Sequence, residues 1–282
     1  MIDLLSSFQD FGYLNLIAIL GIFLIGMPHG SFDGAIAMHL GIANKPSKLV
    51  TFLVSYVILS AVVVATWILL PALTLILFLL ISAFHFGSRD SIIEDKGIKF
   101  IESITLGGIV IVAISQFHRA EVDAIYSYLI NGNTAVVWAI IDVMTLGVIL
   151  GFIECLTINS GGERWRKKAI EVGILLAIFA VVPPLVGFSI YFCLVHSSRH
   201  FKEIYSTLSE SVGKKNIQLQ ALGLTVLTWI FGLTAFYFLA DVADPGPAIL
   251  RVTFIGLAAL TVPHMILVDG FFNKDILTKS DA

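Results

Sequence analysis

Two histidines stand four residues apart in the stretch "YFCLVHSSRHFKE" (191–203), where an apolar run meets the first charges that follow it. Imidazole serves as a base, a proton carrier or a metal ligand. Residues at i and i+4 of a helix share one face, with Cβ atoms about 5–6 Å apart. His196 and His200 can therefore both reach a single ion. An HxxxH pair is a modest signal by itself, and a histidine in an apolar run more often bonds a neighbouring helix than a metal. His29 in "GMPHGSFD", His85 in "SAFHFGSRD" and His264 in "VPHMILVD" lie at the ends of other apolar runs, and His29 and His85 strengthen the pair. His39 and His118 read as surface or interfacial residues.

The chemistry these residues offer is that of neutral nitrogen donors. No cysteine partner and no HExxH helix accompanies them, so a zinc-protease reading has no support. Imidazole suits iron, zinc, copper and nickel alike. A set of histidines without a carboxylate ligand leaves the ion its full positive charge, which would let a ferrous ion bind O2. Acids follow four of the histidines at short spacing: Asp33 after His29, Asp90 after His85, Glu203 after His200 and Asp269 after His264. Ligating imidazoles usually donate their second N–H to a carboxylate or carbonyl, and these acids are candidates for that role. Glu154, near the inner end of its apolar run and at a depth similar to the histidines, is another. Arg199 lies about 100° away from the pair around the helix and is expected to reach toward headgroups or water. Phe84, Phe86, Tyr191 and Phe192 border the histidines and could wall a pocket for a long apolar substrate, although such aromatics more often simply pack.

The elements that must position these groups are membrane helices. Of 282 residues, 57% are hydrophobic and 13% charged, with a mean hydropathy of +0.95; soluble domains carry about 25% charged residues. Apolar runs recur from end to end, and a window of about 19 residues predicts nine spans, near 13–28, 49–70, 72–88, 99–117, 134–154, 169–186, 185–201, 219–240 and 248–268. The expected fold is all-α, a polytopic transmembrane bundle of eight to nine spans forming one domain over 1–282. Pro183-Pro184 should break the chain between the sixth and seventh spans. The first apolar run lacks a basic flank and is expected to be retained rather than cleaved. Cys155 and Cys193 fit neither a disulfide framework nor a metal knuckle. A net charge of −3 without a basic stripe gives no reason to expect a nucleic-acid partner.

Charge orients the spans. With the N-terminus outside, fifteen of the 17 basic residues fall in inner segments, leaving Arg119 and Arg251 outside. That is the asymmetry of the positive-inside rule. It puts His29, His85, His196, His200 and His264 near the cytoplasmic ends of their helices, in the inner (plasma) membrane of the cell. Ionisable groups at membrane depth usually face the bundle interior and mark function.

The four motifs quoted above, in this order, resemble the Brp/Blh family of bacterial and archaeal membrane proteins. They run from the first span to the last, so the resemblance covers nearly the whole chain. It implies an oxidoreductase that cleaves β-carotene at its central 15,15′ double bond with O2, giving two molecules of all-trans-retinal. It also implies a non-haem Fe(II) cofactor with His29, His85, His196 and His200 as ligands. His264 matches a further family histidine, in the substrate pocket or behind a ligand. The retinal would pass to a microbial rhodopsin. Two other readings compete: a membrane di-iron desaturase or hydroxylase of lipids, and a transporter or haem carrier that uses its histidines without catalysis. The di-iron sites need about eight histidines in HxxxH and HxxHH boxes, and only seven are present.

Overall fold

A computed structural model of the protein describes residues 11–92, 96–158, 162–208, 212–240 and 245–272. Every element among them is helical. Seven helical stretches are long and apolar enough to cross a bilayer: Tyr13–His39, Pro46–Leu69, Pro71–Ser88, Gly97–Phe117, Ala135–Ile158, Lys214–Ala240 and Ala248–Gly270. Each coincides with a span expected from hydropathy. The first is composite, formed by α1 (Tyr13–Gly21), a π segment (Ile22–Gly26), a 3-10 turn (Met27–Phe32) and α2 (Asp33–His39). Next come α3 (Pro46–Leu69), α4 (Pro71–Ser88), α5 (Lys96–Phe117), α6 (Arg119–Ile130) and α7 (Ala135–Ile158). The chain continues through α8 (Glu163–Val181), α9 (Pro184–Ser189), a second π segment (Ile190–His196) and α10 (Ser197–Leu208). It closes with α11 (Lys214–Ala240), α12 (Pro245–Leu267) and a π turn (Val268–Phe272).

The exposed side chains explain themselves only in lipid. Val54, Val57 and Ile58 of α3 are more than half exposed, as are Leu222, Phe231 and Tyr237 of α11. Apolar surface on that scale would be a liability in water. Against hydrocarbon it costs nothing, provided every backbone group is bonded within its own helix. The protein is a polytopic helical membrane protein.

Proline punctuates the order. Leu70, before Pro71, leaves the helical region at φ −137° and ψ 62°, because the proline ring disfavours helical geometry in the residue ahead of it. Val182 is extended at φ −94° and ψ 152°, so the chain does break at Pro183-Pro184. The expected spans 169–186 and 185–201 therefore fall on α8 and on the broken series α9, π segment and α10, neither of which is among the seven long apolar stretches.

Contacts divide the chain into two compact units: 1–69 with 192–282, and 70–191. The middle unit (70–191) is organised by α4 and α5, whose backbones touch. A Cβ on Gly87 would fall 1.7 Å from the Ser103 carbonyl oxygen, and one on Gly107 would fall 1.9 Å from that of Ala83. Only hydrogen fits at these two positions. Glu102 of α5, fully buried, accepts hydrogen bonds from the Ser91 hydroxyl and the Ile92 amide, and so fixes the turn that follows α4. A core of Leu106, Ile109, Val148, Cys155, Trp165 and Val172 joins α5, α7 and α8. Helix α8 starts near the end of α4, where Lys168 pairs with Asp90 at 3.3 Å. It ends near His118, whose Nε2 lies 2.7 Å from the Phe179 carbonyl. Eleven residues at about 1.5 Å each separate these two ties along the helix.

Next to His118 is a polar cluster. Arg119 pairs with Asp142 at 2.7 Å and lies 4.1 Å over the Trp138 ring. Hydrogen bonds from Thr134 and Trp138 to Asp123 hold that carboxyl below its usual range. Burial pushes the Tyr126 phenol up to about 12.

The end unit (1–69 with 192–282) packs around Phe32, Ile36, Ile204, Leu208, Ile217, Leu267 and Val268. Its α12 contains Pro263 inside the helix, about one turn from its end. Proline has no N–H to give the carbonyl four residues back, which is that of Ala259. The Ser60 hydroxyl of α3 donates to that oxygen at 2.9 Å, and Tyr56 Oη lies 3.2 Å from the next carbonyl, Leu260. Neighbouring hydroxyls commonly re-satisfy proline-freed groups in this way inside membranes.

Candidate active site

His29 and His196 lie within irregular pieces of helix and His264 lies four residues before one, whereas His85 lies in regular helix. The π segment 22–26 leads directly into the 3-10 turn that carries His29. A second π segment ends on His196, and a third begins four residues after His264. A π turn inserts one residue into the helical repeat and turns the following side chains to a new face; such insertions concentrate at functional sites. The side chain of His29 lies outside the described residues, so only its backbone turn is placed.

In the end unit, His196 and His200 are buried at 5% and 1% exposure. Their rings are parallel to within 4°, with centroids 6.3 Å apart, as expected for one turn of spacing on one face. Arg199 lies on the exposed side of α10, away from the pair, as its helical position predicts. Phe192 stacks on His196 with centroids 5.9 Å apart. The ring of Phe192 fits because residue 26 is glycine: a Cβ there would fall 2.4 Å from it. His264, also 1% exposed, meets His200 edge to face at 5.0 Å. Its Nδ1 is 2.7 Å from Oδ1 of Asp33, a carboxylate buried to 1%. The other oxygen of Asp33 accepts from Tyr56 Oη at 2.9 Å.

In the middle unit, His85 is 1% exposed in the last turn of α4. Phe86 beside it packs edge-on against Tyr191 at 5.4 Å and near Phe188 at 6.5 Å. Phe84 turns the other way, toward Phe100. The aromatics next to the histidines are thus partly wall and partly packing.

The acids have different surroundings. Asp33 joins His264, 231 residues away, while Asp90 pairs with Lys168. Glu154 and Glu203 lie on exposed faces of α7 and α10, and Asp269 is half-buried after α12. Among the described residues, no three His, Cys, Asp or Glu side chains gather closely enough to hold a metal ion. Tyr56 escapes the sequence reading altogether. A tyrosine in an apolar run looks like an interfacial aromatic, and its partners lie 23 and 204 residues away.

The apolar helices, with buried imidazoles among them and one backed by a buried carboxylate, define a class: integral membrane proteins of the polytopic helical kind. The family model for beta-carotene 15,15'-dioxygenase matches residues 20–272, and the chain belongs to that family. It is 36% identical over 253 residues to a Beta-carotene 15,15'-dioxygenase of an uncultured marine bacterium (66A03), covering 88% of this chain and 90% of the relative. A Probable beta-carotene 15,15'-dioxygenase Blh from Halobacterium salinarum is 25% identical over 206 residues, 63% of this chain and 58% of that protein. No solved structure matches.

Proposed function

We infer that this protein cleaves β-carotene at the central 15,15′ double bond with O2, giving two molecules of retinal. One C=C bond breaks and two C=O bonds form, so both oxygen atoms of one O2 balance the products. The observation that carries the reading is membership of the family over most of the chain, joined to a buried, parallel histidine pair on α10. That pair fits a metal in chemistry and spacing, with two neutral donors on one face and little access for water. Fe(II) would be held by His29, His85, His196 and His200, and when bound it would supply a redox-active Lewis acid for O2.

The chain's own residues do the rest. Phe192 against His196, and Phe86 with Tyr191 near His85, present apolar ring faces suited to a polyene. They keep water from reactive species and hold the substrate along its length, so that one bond of many is selected. The site lies toward the cytoplasmic ends of the helices in the plasma membrane, with the N-terminus outside. Counting α8 and 184–208 as two crossings or as none leaves that orientation unchanged, because the two cancel. Substrate enters from the bilayer, and the aldehyde product is suited to delivery to a microbial rhodopsin.

The test is turnover by purified protein, with and without Fe(II) and O2. Retinal should form from β-carotene only when both are present. Undiminished retinal under anaerobic conditions, or an aldehyde of another chain length, would overturn the reading.

A further inference from the structure

We propose that Tyr56 and Asp33 are positioning residues that act through His264 to fix the ring of His200 beside the turn carrying His29. The inference rests on the metal-site reading above and adds a residue, Tyr56, that the reading does not use.

Three observations carry it. First, both oxygens of the Asp33 carboxylate are engaged, one by each partner: Oδ1 with His264 Nδ1 at 2.7 Å and Oδ2 with Tyr56 Oη at 2.9 Å. An ionised carboxylate only accepts, so Nδ1 of His264 carries the proton that faces Asp33. The place of that proton and the ring plane are set together. Second, the fixed ring is the one that meets His200 edge to face at 5.0 Å. Rotation of His264 would withdraw that edge from His200. Third, the trio abuts Gly30, the residue after His29. A Cβ there would stand 3.8 Å from both Asp33 Oδ2 and His264 Nδ1, and 3.9 Å from Tyr56 Oη. One buried node therefore adjoins both the His29 turn and the His200 ring, drawing on α2, α3 and α12.

The simpler account is helix glue, and the molecule supplies its own control. Ser60, one turn beyond Tyr56 on α3, also bonds a carbonyl of α12 but, among the described residues, bonds no carboxylate or histidine. If the trio only joins α3 to α12, losing Tyr56 and losing Ser60 should have the same consequences.

The experiment uses the full chain in detergent, labelled with 15N-histidine, as wild type and as Tyr56→Phe, Asp33→Asn, Asp33→Glu and Ser60→Ala. His264→Gln and His200→Gln assign the ring signals. In metal-free protein, Asp33→Asn should remove the fixed Nδ1–H pattern of His264 and shift His200. Tyr56→Phe should broaden both, and Ser60→Ala should leave both unchanged. Titrated with Fe(II) alone, Asp33→Asn and Tyr56→Phe should bind about 10–100-fold more weakly, the range set by loss of outer partners. Asp33→Glu should recover part of this, and Ser60→Ala should stay within about twofold of wild type. An unchanged His200 signal in both Asp33→Asn and Tyr56→Phe overturns the proposal whatever the metal does. Equal losses in Tyr56→Phe and Ser60→Ala also overturn it, in favour of glue. Wild-type protein that binds no Fe(II) would refute the iron reading instead, and the metal-free spectra would still decide the positioning role.

Discussion

The two compact units solve the same problem, helices held together without water to drive them, by different means. In the middle unit the decisive contact is backbone on backbone, at Gly87 and Gly107 of the α4/α5 crossing. In the end unit the glycines abut side chains instead: Gly26 meets Phe192, Gly34 meets Gln220 and Gly232 meets Phe23. There the specific tie is polar, from Tyr56 to Asp33 to His264. Small residues let membrane helices approach closely, and buried polar groups add direction to the contact. The contrast separates a rigid frame, which ends in a single histidine, from a polar node that backs the histidine pair.

Substitutions can break this contrast in order of severity. The largest effect is expected at the imidazoles: His200→Ala in the end unit and His85→Ala in the middle unit should each lower retinal formation by more than about a hundredfold, beyond what outer partners cost. Retention of activity in one of the two, measured by product chromatography, would assign the chemistry to a single unit. Next comes the frame. Gly107→Ala drives a methyl into a carbonyl that cannot move, and should destabilise by about 3 kcal/mol, the upper end for overpacking. Gly34→Ala meets only the end of the Gln220 side chain, and should cost less than about 1 kcal/mol. Thermal melts followed by helical circular dichroism compare the two, and equal costs would remove the distinction between the units.

The smallest effect concerns pH. Hydrogen bonds from Thr134 and Trp138 lower the Asp123 carboxyl. Its stabilising contribution is therefore complete above its unfolded value of about 3.9, and is lost as pH falls through the folded one. Asp123→Asn should flatten the acid side of the melting profile below about pH 4 and lower stability at neutral pH by the small contribution the ionised carboxyl makes there.

Most of the helical layout was legible in the sequence, since uninterrupted apolar length is a direct physical requirement for crossing a bilayer. Leu70-Pro71 and Pro183-Pro184 marked two breaks for a local reason, the geometry of proline. The six-residue charged start of α8 shows the limit. Hydropathy sees Arg164 through Lys168 but not Asp90, the distant partner with which Lys168 pairs. The candidate site was legible in its residue types and only partly in its partnerships. Proximity along the chain pairs Asp33 with His29, whose side chain lies outside the described residues, while the bond from Asp33 to His264 spans 231 residues and has no local signal. Nothing in the local sequence identifies Tyr56 as the second partner of Asp33. The π segments are hidden for a related reason: one inserted residue shifts the apolar period by too little to register in a run where nearly every position is apolar.

The end unit is made from both ends of the chain, with residues 70–191 between them, and this has a consequence for biogenesis. Asp33 leaves the ribosome 231 residues before His264. At roughly 5–20 residues per second, its carboxylate waits on the order of tens of seconds for its imidazole. During that interval the middle unit can be completed and the first helices cannot. A nascent chain halted before α12 should therefore display a folded middle unit and a protease-sensitive beginning.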